Sequence, residues 1–305
     1  MSPGGRLAAI LDGGGFCVTS EVVPPRSADS KSVTAHARTL VGYVDAVNVT
    51  DNPSASAHMS PLAGVRFVAA AGIEPTVQLT CRDRNRLAIT SDLLGAWALG
   101  ARNLLCLAGD PLAIGDHSEG VFVDDLSLLD LVALARRLRD EATGLSGVKM
   151  IEPPRYFIGV ADVPLADPYD PSRLEAKLDA GADFVMTQIA YDVEALGSWS
   201  DRMRERGLFE RANVIVGVVP LRTAKRARYM HEHLPGVSVP TAMLEALDAA
   251  GDDASAVGLD LTIQVVQGIR KISSISGVHI MGMGHDDAVV DVVEGAGLFP
   301  RSTEV

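Results

Sequence analysis

Short apolar runs recur along the chain, each followed by a stretch in which apolar positions return every three or four residues. The runs are Cys17–Val23, Ala46–Thr50, Thr76–Thr80, Asn103–Ala108, Tyr156–Ala161, Phe184–Ile189, Val214–Val219 and Val278–Met283. They are rich in Val and Ile and apolar for most of their length, as strands covered on both faces should be. Asn85–Leu99 has helical periodicity, with Leu87, Leu94 and Trp97 expected on one face. Asp125–Arg139 carries a stripe of Leu128, Leu131, Val132, Ala135 and Leu138, and Val193–Glu205 aligns Leu196, Trp199 and Met203. Gly72, Gly100 and Gly181 each stand just before a strand, where a left-handed helix cap is expected.

Eight strands alternating with helices predict an α/β fold, a single (β/α)8 barrel. An open doubly wound sheet is the alternative, but no Gly-x-Gly-x-x-Gly follows the first strand. The barrel is expected over residues 16–305, with insertions near 111–124 and 235–260. Residues 1–15, with Gly13–Gly15, are expected to be a flexible lead-in.

Composition narrows the function. The chain of 305 residues has 39 acidic against 27 basic side chains and a net charge of −12, with aromatics at 5%. An acidic chain with few stacking platforms argues against nucleic acid as a partner. Cys17, Cys81 and Cys106 form no Cys-x-x-Cys pair and sit in or beside apolar runs, which predicts reduced core thiols in a cytoplasmic protein. No apolar run is long enough to span a membrane, no signal-peptide pattern opens the chain, and the seven histidines lack metal-ligand spacing. His231 and His233 fall on a basic helix, and His285 is the histidine expected at the barrel mouth.

In such a barrel the chemistry belongs at the carboxyl ends of the strands. Strand one ends Ser20-Glu21-Val22-Val23-Pro24-Pro25. A carboxylate among apolar residues should have a raised pKa, which suits a general acid, although a glutamate can also simply cap a barrel mouth. Strand two ends in the polar run Asn48-Val49-Thr50-Asp51-Asn52, and strand three carries Gln78 and ends Thr80-Cys81-Arg82-Asp83. Strand four ends Gly109-Asp110-Pro111, where Gly109 would let a flat ligand approach and Asp110 could accept from a ring N–H. Strand five ends at Asp162, and Gln188 emerges from the apolar sixth strand as an amide in need of partners. There is no Ser-His-Asp set and no metal cluster, so these groups suggest a site for a redox cofactor and a flat polar substrate.

In order and spacing these motifs resemble the methylenetetrahydrofolate reductase family, a flavin-linked (β/α)8 barrel. The resemblance runs from about Phe16 to Arg301. It is carried by Ser20–Pro25, Asn48–Thr50, Gln78–Cys81, Leu107–Asp110, and Asp179–Asp183 followed by Met186-Thr187-Gln188. It implies reduction of 5,10-methylenetetrahydrofolate to 5-methyltetrahydrofolate, or the reverse, with NADH or NADPH through bound FAD. FMN, or no flavin, is also found in the wider family. Glu21 matches the general acid, Asp110 the aspartate beside flavin and pterin, and Gln188 the folate-binding glutamine. Thr50, Gln78, Gly109, Asp110, Asp170 and Lys177 match cofactor contacts, with Lys177 near the phosphates. The partners implied are folate and a nicotinamide nucleotide, in a homo-oligomer.

Several positions depart from the family pattern. Ala108 replaces a common Arg, Gln78 a His and Ala224 a stacking Phe, and the Asp162–Pro171 loop is short. Two other functions use similar strand ends: a pterin-binding methyltransferase barrel, which needs no flavin, and a non-catalytic folate-binding subunit. Glu21 speaks against the latter, because binding alone needs no general acid.

Overall fold

A computed structural model of the chain describes residues 4–301. Eight parallel strands close in chain order: β1 (Cys17–Val22), β2 (Ala46–Val49), β3 (Glu74–Thr80), β4 (Asn103–Leu107), β5 (Phe157–Asp162), β6 (Phe184–Ile189), β7 (Asn213–Val218) and β8 (Gly277–Ile280). β8 pairs with β1, with Cys17 opposite Gly277 and Ser20 opposite Ile280, so the sheet has no free edge. The expected strands are present. The chain leaves β8 at Ile280, and Met283, at φ +49°, sits in a turn rather than in the strand.

Alternate residues divide the core in two. Val18, Val22, Val47, Val77, Leu104, Ile158, Val160 and Val185 face outward and bury against the surrounding helices. Cys17, Ala46, Leu105, Phe157, Phe184, Met186 and Ile215 fill the barrel itself. Phe157 and Phe184 stack at 5.0 Å between ring centroids. The Phe184 ring lies directly over Gly159, where a Cβ would collide with it.

The helices are α1 (Arg6–Asp12), α2 (Ser30–Thr39), α3 (Pro61–Ala70), α4 (Arg86–Ala98), α5 (Leu128–Glu141), α6 (Pro171–Ala180), α7 (Val193–Glu205), α8 (Ala224–His233), α9 (Thr241–Ala249), α10 (Ala254–Ile269) and α11 (Asp286–Gly295). The stripes on α5 and α7 bury as expected. On α4 the face is different. Ile89, Leu93 and Ala96 are buried, whereas Leu87 and Leu94 are exposed. This helix is apolar on two sides, so periodicity alone does not choose the buried one. Gly181 ends α6 at φ +121°, the region in which a side chain would be strained.

One expectation about domain layout changes. Residues 1–3 of the expected lead-in lie outside the described residues, but Arg6–Asp12 is helix α1 and is not a flexible segment. Leu7, Ala8 and Leu11 are buried in the barrel-filling cluster. Glu74 accepts from the backbone N–H groups of Arg6 (2.6 Å) and Leu7 (3.0 Å), which caps the helix with a carboxylate at its positive end. Alanine-rich spacing over only two turns gave too weak a pattern to reveal it. The stretch near 235–260 contains all of α9 and the start of α10, so it is an ordered addition to the barrel wall. Its first residues reach the mouth, where Gly236 packs on Val163.

Because Leu7 is fully buried in the barrel floor, Leu7→Ala should lower unfolding stability by about 2–5 kcal/mol. Denaturant titration checks this, and a loss below about 0.5 kcal/mol would mean that α1 does not support the barrel.

Candidate active site

The inward-facing residues turn from apolar to polar on moving up the barrel. Above the Phe157–Phe184 floor lie Thr19, Asn48, Thr76 and His279, all buried. Thr19 Oγ1 meets His279 Nδ1 at 2.9 Å, and Asn48 Nδ2 reaches Met186 Sδ at 3.1 Å. Burial pushes His279 down to about 3, so it is neutral at ordinary pH and acts as a packing and hydrogen-bonding residue. One turn of the strand pattern higher are Glu21, Thr50, Gln78 and Gln188, on β1, β3 and β6 and just past the end of β2. Thr50 is buried, and its Oγ1 has no partner. So has Asn48 Oδ1. Unpaired buried acceptors and hydroxyls are costly, and at a barrel mouth they mark where a ligand can complete the hydrogen bonding.

Glu21 is half-buried and lines a small cavity of about 80 Å³ with Val22, Val23, His36, Met283, Gly284 and Asp286. Loss of solvent raises its pKa to about 7, and the nearby Asp286 carboxylate adds to the rise. Near neutral pH it therefore exchanges between its protonated and ionised forms, the range in which a general acid works.

Gly109 and Asp110 stand on the rim after β4. Gly109 has φ +92°, and a Cβ there would come within 2.8 Å of Arg82 Cβ. The glycine is thus required by backbone conformation and by Arg82, a reason different from the ligand approach expected from sequence. Asp110 is exposed and accepts from Ser54 N–H at 2.8 Å through one oxygen. That bond ties the β4 rim to the left-handed turn Asn52–Ala55 and leaves the other carboxylate oxygen for a ligand.

Asp170 and Lys177 lie apart from Glu21, in a larger groove of about 580 Å³ outside the ends of β4 and β5. Its walls include Ala108, Ala161, Asp162, Tyr169, Asp170, Arg173 and Lys177. Asp170 caps α6, accepting from Ser172 N–H at 3.0 Å. Lys177 turns its amine in to donate to Ala161 O at 2.6 Å, with Asp162 at 4.0 Å. Desolvation lowers the lysine pKa and raises that of Asp162, while each partially offsets the other's shift. Gln188 is also engaged. Its Nε2 donates to Pro235 O at 3.3 Å and its Oε1 accepts from Ile189 N–H, so β6 is linked to the loop that crosses the mouth.

Sequence reasoning missed two features. Asp51 is buried and takes a bidentate Arg84 pair at 2.6 and 3.0 Å plus Thr80 N–H, which binds the ends of β2 and β3 together. Asp286 and His36 stand beside Glu21. His285, expected at the mouth, forms the N-cap position of α11 just past the carboxyl end of β8. The signals were available as Asp51 after Thr50 and Asp286 after His285, but nothing in one sequence says that α2 and α11 meet at strand one.

The family model for methylenetetrahydrofolate reductase matches residues 6–297. The chain belongs to the methylenetetrahydrofolate reductase family. Methylenetetrahydrofolate reductase 1 of Schizosaccharomyces pombe is 29% identical over 245 residues, covering 75% of this chain and 37% of that one. The 5,10-methylenetetrahydrofolate reductase of Escherichia coli is 27% identical over 216 residues, covering 68% and 64%. The chain thus spans about two fifths or less of the fungal relatives it matches. Among solved structures, an uncharacterized protein from Clostridium thermocellum that binds two copies of 5-methyl-5,6,7,8-tetrahydrofolic acid superposes with a TM-score of 0.62 at 12% identity. It covers 96% of this chain and 98% of that one. At that identity the likeness is one of fold. Among the described residues no helix is long and apolar enough to cross a membrane, and no group of three or more His, Cys, Asp or Glu could hold a metal ion.

The Glu21 environment has a consequence for stability. Its folded pKa near 7 lies above the ordinary 4.5, so the native state favours the protonated form. That contribution is present below about pH 4.5 and is lost as pH rises through 7. Glu21→Gln, neutral at all pH, should therefore be more stable than wild type at pH 8, by about 1–3 kcal/mol, and should converge with it near pH 4–5. Parallel urea titrations at the two pH values test this, and equal stabilities at pH 8 would contradict the buried-acid environment.

Proposed function

We propose that this barrel reduces 5,10-methylenetetrahydrofolate to 5-methyltetrahydrofolate with a hydride that originates on NADH or NADPH. The observation that carries the reading is Glu21, a carboxyl whose pKa is raised to about 7 at the mouth of a family barrel. Opening the methylene bridge breaks its bond to N10, and N10 must gain a proton as it leaves. Glu21 donates that proton. The carbon left on N5 is then a cationic iminium, which Asp110 and the newly formed Glu21 carboxylate stabilise electrostatically. Hydride addition to that carbon gives the methyl group. Gln188 would offer its amide to the pterin, exchanging its bonds to Pro235 O and Ile189 N–H for ligand contacts.

A flavin nucleotide fits the residues present. The groove of about 580 Å³ carries the cations Lys177 and Arg173 on its lining, while Thr50 Oγ1, a buried group without a partner, and Gln78 and Gly109 lie outside that lining, at the ends of β2, β3 and β4. When bound, a flavin supplies a hydride carrier between nicotinamide and folate, and FAD is the form the family resemblance favours. Holding it falls mainly to Lys177. Asp162 and Asp170 offset the two cations, and Ala108 adds no charge. Removal of the ammonium would leave a groove with excess negative charge facing a diphosphate.

Glu21→Gln should leave reduction of any bound flavin by NAD(P)H nearly intact while lowering methylenetetrahydrofolate turnover by about 10²–10⁴-fold. Turnover above a tenth of wild type would remove Glu21 from its assigned role. Lys177→Ala should reduce flavin affinity roughly ten- to a hundredfold, the value of one charge-assisted phosphate contact of about 1.5–3 kcal/mol. Flavin content per purified chain reads this out directly. Equal, near-stoichiometric flavin in both proteins would make Lys177 a purely structural lysine; absence of flavin from both would favour direct hydride transfer from nicotinamide to the folate.

A further inference from the structure

Each turnover as proposed consumes one proton from solution, and Glu21 must recover it. With folate filling the mouth, the upper approach to its carboxyl is closed by substrate. The structure shows a second approach. The cavity of about 80 Å³ behind Glu21 is lined by Asp286 and His36, neither of which belongs to the groove of Lys177. Such a volume holds roughly two or three water molecules, each taking about 30 Å³. Asp286 opens α11, and His36 lies on α2, on the other side of β1 in the chain. Their side chains meet at 2.5 Å, Nδ1 to Oδ2. The Asp286 side chain is 13% exposed and that of His36 is 40% exposed. Exposure thus increases in order from the cavity to the outer surface.

We propose that His36 and Asp286 form the proton-return path to Glu21, with Asp286 also acting as the positioning residue that keeps the acid protonated between turnovers. This rests on the reading of Glu21 as the general acid. The balance is simple. Glu21 loses H⁺ to N10, and the hydride, bringing two electrons, goes to the iminium carbon. The Glu21 carboxylate then takes H⁺ across cavity water from the Asp286–His36 pair, and exposed His36 regains H⁺ from solvent. No oxidant or reductant beyond the nicotinamide is needed.

The other groups near Glu21 leave Asp286 as the charged influence on it. Asn48, its register partner on β2, is neutral, and His279 on β8 is held neutral by burial. Arg226 of α8 contacts Met283 Sδ, itself part of the cavity lining, but is not among the causes of the raised Glu21 pKa, and Asp287 is exposed. A carboxylate so close to Glu21 disfavours its ionised form, in keeping with the second cause of its raised pKa.

The test compares Asp286→Asn, His36→Ala and Glu21→Gln in the whole chain, with methylenetetrahydrofolate and reduced nicotinamide. In Asp286→Asn, the alkaline limb of the kcat/KM profile for folate should move to lower pH by about half a unit or more, with kcat/KM at pH 6 retained, while steady-state kcat in dilute buffer falls several-fold as the return path is broken. In His36→Ala, steady-state kcat in dilute buffer should fall several-fold, a single turnover started at pH 6 should not, and added imidazole should restore kcat. A histidine that only braces the fold would depress both rates and give no rescue. An unmoved limb in Asp286→Asn, or a buffer-independent loss in His36→Ala, overturns the proposal while Glu21→Gln remains inactive. Retained turnover in Glu21→Gln would instead overturn the general-acid reading, and this inference with it.

Discussion

A closed ring of eight strands can persist only if the space it encloses is filled, and that constraint organises this molecule. The lower half is filled by apolar side chains of unequal size: the Phe157–Phe184 stack occupies the room left by Gly159 and Ala46, and α1 supplies Leu7, Ala8 and Leu11 as a floor. Filling from below frees the upper half from a structural task. There the inward positions become Thr, Asn, Gln and Glu, and several of their polar atoms are left without partners. The division follows from cost. The floor is not free of such atoms, since Asn103 Oδ1 at the start of β4 also lacks a partner, but only at the mouth can a ligand complete the missing bonds.

The carboxylates divide along the same line. Asp45 at the floor accepts from Val18 N–H and pairs with both Arg6 and Arg301, so a single buried side chain ties the two ends of the described chain to β1. Asp51 does the same near the mouth through Arg84 and Thr80. These acids have their charge matched by arginine forks, the geometry in which a buried carboxylate is tolerable. Glu21 has no such cation. Burial strips it of solvent, a second carboxylate stands nearby, and its raised pKa is the result. The contrast separates carboxylates that hold the fold from the one suited to exchanging a proton, although Glu and Asp look alike in composition.

The fold was legible because strand and helix periodicities are local. Doubly covered strands read as Val- and Ile-rich runs, and their order in a parallel barrel leaves little freedom in topology. Where two periodic solutions existed, as on α4 with apolar residues on two faces, the pattern could not choose between them. Helix α1 was hidden for a related reason: two turns flanked by glycines resemble a tether until Glu74, far along the chain, caps them. Site residues on the strands, Glu21, Thr50, Gln78 and Gln188, could be located from the end of each apolar run. The groups that tune them could not, since Asp286 and Glu21 meet only because β8 closes against β1.

That closure also explains why the mouth divides into two compartments. β8 and β1 bring α11 and α2 together over Glu21, making a small cavity with acidic and imidazole walls. β4 and β5 instead open between Ala108 and α6 into a long groove with mixed charges. A proton and a hydride have opposite needs: the proton requires a titratable chain to water, and the hydride requires a shielded, close approach of two flat rings. On the proposed function, proton handling on the β8–β1 side and a donor in the groove on the β4–β5 side would each meet one of these needs without compromising the other. Folate bound across the mouth would then span both, with its bridge carbon between an acid that can be resupplied from behind and a donor held in the groove.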